Sequence, residues 1–193
     1  MLKFCSLYSG SSGNCLFIES EHSKILVDAG RSAKKISEAL SQINVSLEQI
    51  DAILISHEHI DHIRGLNVIM KKYNIPIYSN LKTWSKLPQD SIKSSNIQML
   101  FDNEKAFKIN DLEILPFSIP HDAIDPCGFN IYNNNTKISI ATDLGYIDER
   151  ILKHLETSSF VMLESNYDPE ILKCCSYPYN LKQRILGPSR TSF

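Results

Sequence analysis

The chain has 193 residues, 42% of them hydrophobic and 22% charged, with a formal net charge of −2; the composition is ordinary for a globular protein, and the length suits one domain over 1–193 that buries roughly 70% of its unfolded surface. There is no basic block, so charge alone predicts no tight, sequence-independent binding to nucleic acid, although a local basic patch is compatible with this balance. No apolar run reaches the ~18 residues of a membrane span, and the opening MLKFCSLYSGSSGNC lacks the apolar run of a signal peptide, so a cytoplasmic protein with no membrane partner is expected.

The predicted elements alternate strands and helices. LFIES (16–20) and KILVD (24–28) read as strands around a polar turn. SAKKISEALSQI places Ile36, Ala39, Leu40 and Ile43 on one helical face, with Ser32 as N-cap. DAILIS (51–56) is a short buried strand. IRGLNVIMKKY is helical from Ile63, with Leu66, Ile69, Met70 and Tyr73 on one side. PIYSN is a strand, TWSKL opens a short helix, and 92–107 holds one or two short strands. LEILPFSI, FNIYNNN and KISIATD follow as strands, with NNNT (133–136) as a hairpin turn. DERILKHLET is a helix, SFVMLES a strand and PYNLKQRIL a last helix. Strands, helices and hairpins without a linker predict a layered α/β fold with mixed sheets. Cys5, Cys15, Cys127, Cys174 and Cys175 are odd in number with no C-x-x-C spacing, and read as free thiols.

Polar residues cluster where the apolar strands stop. The strands end at Asp28, His57, His121-Asp122, Asp143 and Glu164-Ser165-Asn166. The C-terminal ends of strands are where α/β folds gather their sites, and five such coincidences point to one shared site. SHEHIDHIRG (56–65) carries His57, His59, Asp61 and His62. On extended backbone His57 and His59 point the same way and can grip one ion. Asp61 and His62 would face a second position close by. Imidazole with carboxylate suits Zn²⁺ best, with Mn²⁺ and Fe open, and two ions about 3.5–4 Å apart would make a hydrolytic pair. The isolated His22 and His154 read instead as surface or satisfied histidines.

SHEHIDH with an upstream DAG, a later strand-end His and a later strand-end TD resembles the metallo-β-lactamase superfamily of metal-dependent hydrolases. SLYSGSSGNCLFIES, KKYNIPIYSN, SIPHDAIDPCGFNI and MLESNYD are similar to its YycJ/WalJ-like branch. The resemblance runs from Met1 to about Pro188. It implies an αββα sandwich with the metals at one edge of the two sheets. It implies His57, His59 and His121 at a first metal, Asp61 and His62 at a second, Asp143 bridging both, and Asp28 orienting the histidine loop from behind. The loop of Ser11, Ser12, Gly13 and Asn14 could hold a phosphate on its backbone N–H groups, though SGSSGN alone reads equally as a flexible turn.

The expected activity is hydrolysis of a phosphoester by a metal-bound hydroxide, with Asp61 orienting it; the resemblance to this branch implies DNA, cleaved from the 5′ end, as the substrate. A small cyclic phosphodiester or a thioester is the alternative substrate. Relatives of this branch continue from GP into GHLSN, whose histidine closes the second site; here GPSRTSF follows, and no histidine comes after His154. Tyr167 stands where relatives often carry histidine. The expectation is therefore a domain incomplete at its C-terminus, without the last strands and helix, whose second ion is weakly held. The rival reading is a metal-binding remnant with little or no activity.

Overall fold

In the computed structural model, which describes residues 1–88 and 98–164, the apolar runs become the strands of two mixed sheets. Among the described residues the first sheet has six strands in sequence order: β1 (Lys3–Tyr8), β2 (Cys15–Glu19), β3 (Lys24–Val27), β4 (Ala52–Leu54), β5 (Ile77–Asn80) and β6 (Gln98–Phe101). β1 to β3 run antiparallel and β3 to β6 parallel. The second sheet holds β7 (Phe107–Ile109), β8 (Leu112–Ser118), β9 (Cys127–Asn133), β10 (Thr136–Ala141) and β11 (Phe160–Leu163), in the order β11-β10-β9-β8-β7. All its pairs are antiparallel except β10 with β11.

The period-2 alternation sorts side chains into layers. Leu16, Ile18, Ile25, Val27, Ala52 and Leu54 of the first sheet meet Ile114, Phe129, Ile131, Ile138 and Ile140 of the second, forming the core between the sheets. The intervening residues Cys15, Phe17, Leu26, Ile53 and Ile55 point the other way, onto α1 (Ala33–Gln42) and α3 (Leu66–Lys72). On the outer face of the second sheet Phe117 and Ala141 pack under Ile151 of α5 (Glu149–Leu155). The result is helix, sheet, sheet, helix. A one-residue slip in β2 would exchange its two apolar sets, so burial on both faces pins the register.

Most predicted elements appear within a residue or two. Ser32 caps α1 through its side chain, and Asp148 caps α5. The turn 133–136 joins β9 to β10, with Asn134 in the left-handed region. Cys5, Cys15 and Cys127 are free thiols; Cys174 and Cys175, the end of the SFVMLES strand, Tyr167 and the last predicted helix lie outside the described residues. None of the described helices is long and apolar enough to cross a membrane.

Two readings need correction. The helix expected from Ile63 starts three residues earlier, as α2 (Ile60–Ile63), because His59 takes an extended conformation and its carbonyl accepts from His62 N–H over 2.9 Å. It then breaks before α3. A Cβ on Gly65 would run into the carbonyl of Arg31, so the two segments approach there more closely than a continuous side-chained helix allows. β1 was not foreseen, because KFCSLY mixes apolar and polar residues with weak alternation.

Candidate metal centre

Four strands running the same way bring their C-terminal ends to one edge of the sandwich. Asp28 follows β3, His57 follows β4, His121 lies beyond β8, and Asp143 follows β10. Asp28 (φ 63°) and Asp143 (φ 56°) both sit in the left-handed region, which aspartate tolerates better than most residues and which often marks a site held under strain.

Two sets of donor atoms converge, and His57 belongs to both: His57, His59 and His121 in one, His57, His62 and Asp143 in the other. His59 Nδ1 lies 3.1 Å from His57 Nε2 and 3.0 Å from His121 Nε2. Within the second set Asp143 Oδ2 lies 2.6 Å from His62 Nε2 and 3.4 Å from the shared His57 Nε2. Asp61 Oδ2 reaches within 3.8 Å of His62 Nε2 from a side chain that is partly exposed, and joins neither set. His22 and His154 stand apart: His22 is exposed beside Glu21, and the His154 ring stacks on Phe117 and faces Glu104.

The protonation pattern follows from the surroundings. Burial pushes the His121 imidazole down to about 4 and holds His57 well below its usual range, with neighbouring imidazoles adding repulsion to both. For His62 burial works downward too, but Asp28 and Asp143 on its two sides outweigh it and raise the ring to about 10. Burial works upward on Asp143, yet the His62 hydrogen bond and the charges of His62, His57 and His121 hold its carboxyl well below the usual range.

Asp28 sets two of the rings. Its Oδ1 accepts from Ser56 N–H (2.9 Å), and its Oδ2 from the Ser56 hydroxyl (2.8 Å) and His62 Nδ1 (2.8 Å). The Ser56 hydroxyl hydrogen being directed at the carboxylate, Ser56 Oγ accepts from His57 Nδ1 at 3.0 Å. Both rings then turn Nε2 inward. Ser56 was missed in the sequence because a serine before a histidine has no distinctive chemistry. Glu58 was missed as well; its carboxylate accepts from Ile124 N–H over 2.8 Å and fastens the loop carrying His121. Glu164, at the end of β11, accepts from Asp143 N–H over 2.9 Å.

The 9–14 loop packs against the same centre. Asn14 Nδ2 lies 3.0 Å from His62 Nε2, its N–H donates to Asp61 O, and its carbonyl accepts from Gly30 N–H. Gly13 N–H donates to Gly10 O. The amides of Gly13 and Asn14 are thus already engaged inside the protein, while Ser11 and Ser12 are exposed.

The residues present fit a divalent cation. The ring nitrogens of His57, His59 and His121 face one another at 3.0–3.1 Å, near the about 3.3–3.4 Å that separates ligands of a tetrahedral ion bonded at about 2.0–2.1 Å. Hydrogen sharing cannot satisfy three such nitrogens at once. His121 faces the centre through Nε2, and among the described residues its buried Nδ1 has no hydrogen-bond partner.

A family model described as a beta-lactamase superfamily domain matches residues 23–175. Over 188 residues the chain is 39% identical to the exodeoxyribonuclease WalJ of Streptococcus pneumoniae, covering 96% of this chain and 70% of that protein. It is 36% identical to the exodeoxyribonuclease YycJ of Bacillus anthracis, covering 96% and 71%. Among solved structures, the metallo-beta-lactamase fold protein YhfI of Bacillus subtilis superposes with a TM-score of 0.73 at 16% identity, covering 86% of this chain and 72% of that one.

Proposed function

The chain belongs to the metallo-β-lactamase superfamily of metal-dependent hydrolases, in its WalJ/YycJ-like branch, and from that premise we propose that it cleaves phosphodiester bonds of DNA from the 5′ end. One observation carries the reading: two sets of metal-fit donors, one of three imidazoles and one that includes the Asp143 carboxylate, share His57. The exodeoxyribonuclease names of the relatives support a nucleic-acid substrate and, with it, a cytoplasmic location.

His57, His59 and His121 would hold one ion, and His62, Asp143 and Asp61 a second, with zinc and manganese both suited to the donor set. The second is the weaker, because among the described residues it has fewer imidazoles. Bound divalent ions supply Lewis acidity to a phosphoryl oxygen and lower the pKa of water towards ~7. Asp61, partly exposed at the mouth, accepts a hydrogen bond from the attacking water and orients it. Asp28 acts behind the ligands, holding His62 directly and His57 through Ser56, so that both rings offer Nε2.

Elemental analysis paired with release of nucleotides from 5′-labelled DNA tests this. Bound zinc or manganese, lost together with nucleotide release in His59→Ala, is the expected result. Equal metal content in wild type and His59→Ala, or metal-loaded protein that leaves DNA intact, would overturn it.

A further inference from the structure

Arg31 and Arg64 stand beside the 9–14 loop and donate to one atom, Ser12 O, over 2.8 and 3.4 Å. Arg31 comes three positions after Asp28 and Arg64 two after His62, so both guanidiniums ride on segments that build the metal centre. Neither has a carboxylate partner among the described residues, whereas nearby Lys34 and Lys35 share Glu38. A neutral carbonyl oxygen accepts one hydrogen from each but neutralises neither charge. Each guanidinium has five N–H donors in a planar fork. Arg31 lies over the Tyr8 ring, 5.2 Å from its centroid, and the Tyr8 hydroxyl is itself tied to Lys35 O at 3.0 Å. That stacking fixes the plane of the guanidinium and leaves its edge available. Arg64 is exposed and Arg31 half-buried.

We propose that Arg31 and Arg64 form a clamp for one backbone phosphate of the nucleic-acid strand, next to the phosphodiester held at the metal centre. The assignment rests on the nuclease reading above. It also relocates phosphate binding from the loop amides, two of which are engaged internally, to the side chains around the loop. Two forks meeting at one point match a phosphate, which accepts from both at once. They also give an otherwise slightly acidic chain a local positive field where a strand must enter.

The competing role is mechanical, the arginines serving only to latch the loop at Ser12. The test uses the metal-loaded full chain and a fluorescein-labelled oligothymidylate with uncleavable phosphorothioate linkages, followed by anisotropy across a range of NaCl concentrations. Arg31→Gln/Arg64→Gln should weaken binding at least tenfold and make log K against log salt shallower by about 0.7, the value for one phosphate contact on a single strand. Arg31→Lys/Arg64→Lys should keep the slope, since the charges remain. Wild-type binding by the glutamine variant, or weaker binding with an unchanged slope, would overturn the clamp while leaving the nuclease reading in place if the wild type cleaves DNA. A wild type that neither binds the probe nor cleaves DNA would overturn both.

Discussion

The Ser56 hydroxyl donates to Asp28 Oδ2 over 2.8 Å, and the same serine oxygen accepts from His57 Nδ1. A carboxylate outside the ligand set therefore dictates which nitrogen of His57 faces the centre. Ser56→Ala should free the ring to change tautomer and weaken metal binding roughly 10–100-fold, as loss of such partners does elsewhere. Ser56→Thr, which keeps the hydroxyl, should restore it. Nitrogen-15 spectra of the histidine rings in metal-free protein would show a single His57 tautomer in wild type and a mixture in Ser56→Ala. A single tautomer in both would remove the serine from this role.

Metal loading should show a proton signature. Without metal, His62 titrates at about 10 and is protonated at neutral pH, while His121, at about 4, and His57 are neutral. An ion taken up by the three-histidine set displaces no proton from His57 or His121, and one taken by His62 Nε2 displaces about one. Calorimetry at pH 7 in buffers of different ionisation heat counts those protons. Equal proton release for both ions would contradict the arrangement.

The same groups set the stability of the metal-free protein. His121 has a lowered pKa, so the unfolded chain takes up its proton first, and stability falls as pH drops from about 6.5 towards 4. His62 has a raised pKa, so its contribution is complete below about 6.5 and is lost as pH rises through about 10. Melting temperature in chelator should therefore peak near neutrality and decline on both sides. A melting temperature flat from pH 4 to 7 would disprove the His121 assignment.

How much of this was legible in the sequence depended on chemistry. Asp28, His57, His121 and Asp143 announce themselves because a charged or imidazole group ends an apolar strand. Ser56, Glu58 and the arginine pair do not, since each is common at a surface and gains meaning only from loops that meet in space. By sequence Asn14 belongs to a candidate phosphate loop, yet its amide and side chain face Asp61 and His62. The break at Gly65 was hidden for the same reason, as its cause is a carbonyl from a segment over thirty residues away. β1 was invisible because its pairing with β2, and not its own pattern, makes it a strand.

Gly30 should tolerate no side chain. A Cβ there would collide with the carbonyl of Asp61 and crowd the amide of Asn14. Gly30→Ala should cost about 1–3 kcal/mol of stability by overpacking and displace Asp61 and His62, lowering metal content of the folded protein. Thermal melting and elemental analysis check both; unchanged metal content would show that the loop gives way without moving the site.

Asp111 offers a contrast. Its carboxylate accepts from Ser20, Ser23 and Asn133 and so ties the β2–β3 turn to the second sheet. Asp111→Ala should destabilise the protein by roughly 1–3 kcal/mol while the folded fraction keeps its metal and its turnover. Denaturant melts and activity per folded molecule distinguish the two effects, and lost metal in the folded fraction would contradict the separation.

The most direct measurement is the rate of nucleotide release from 5′-labelled DNA by chelator-treated protein as Mn²⁺ or Zn²⁺ is returned. The arrangement of His57, His59, His121, His62, Asp61 and Asp143 predicts no release before addition and a rate that rises with bound ion. Release that persists in the chelator, or that never appears although ions are bound, would contradict it.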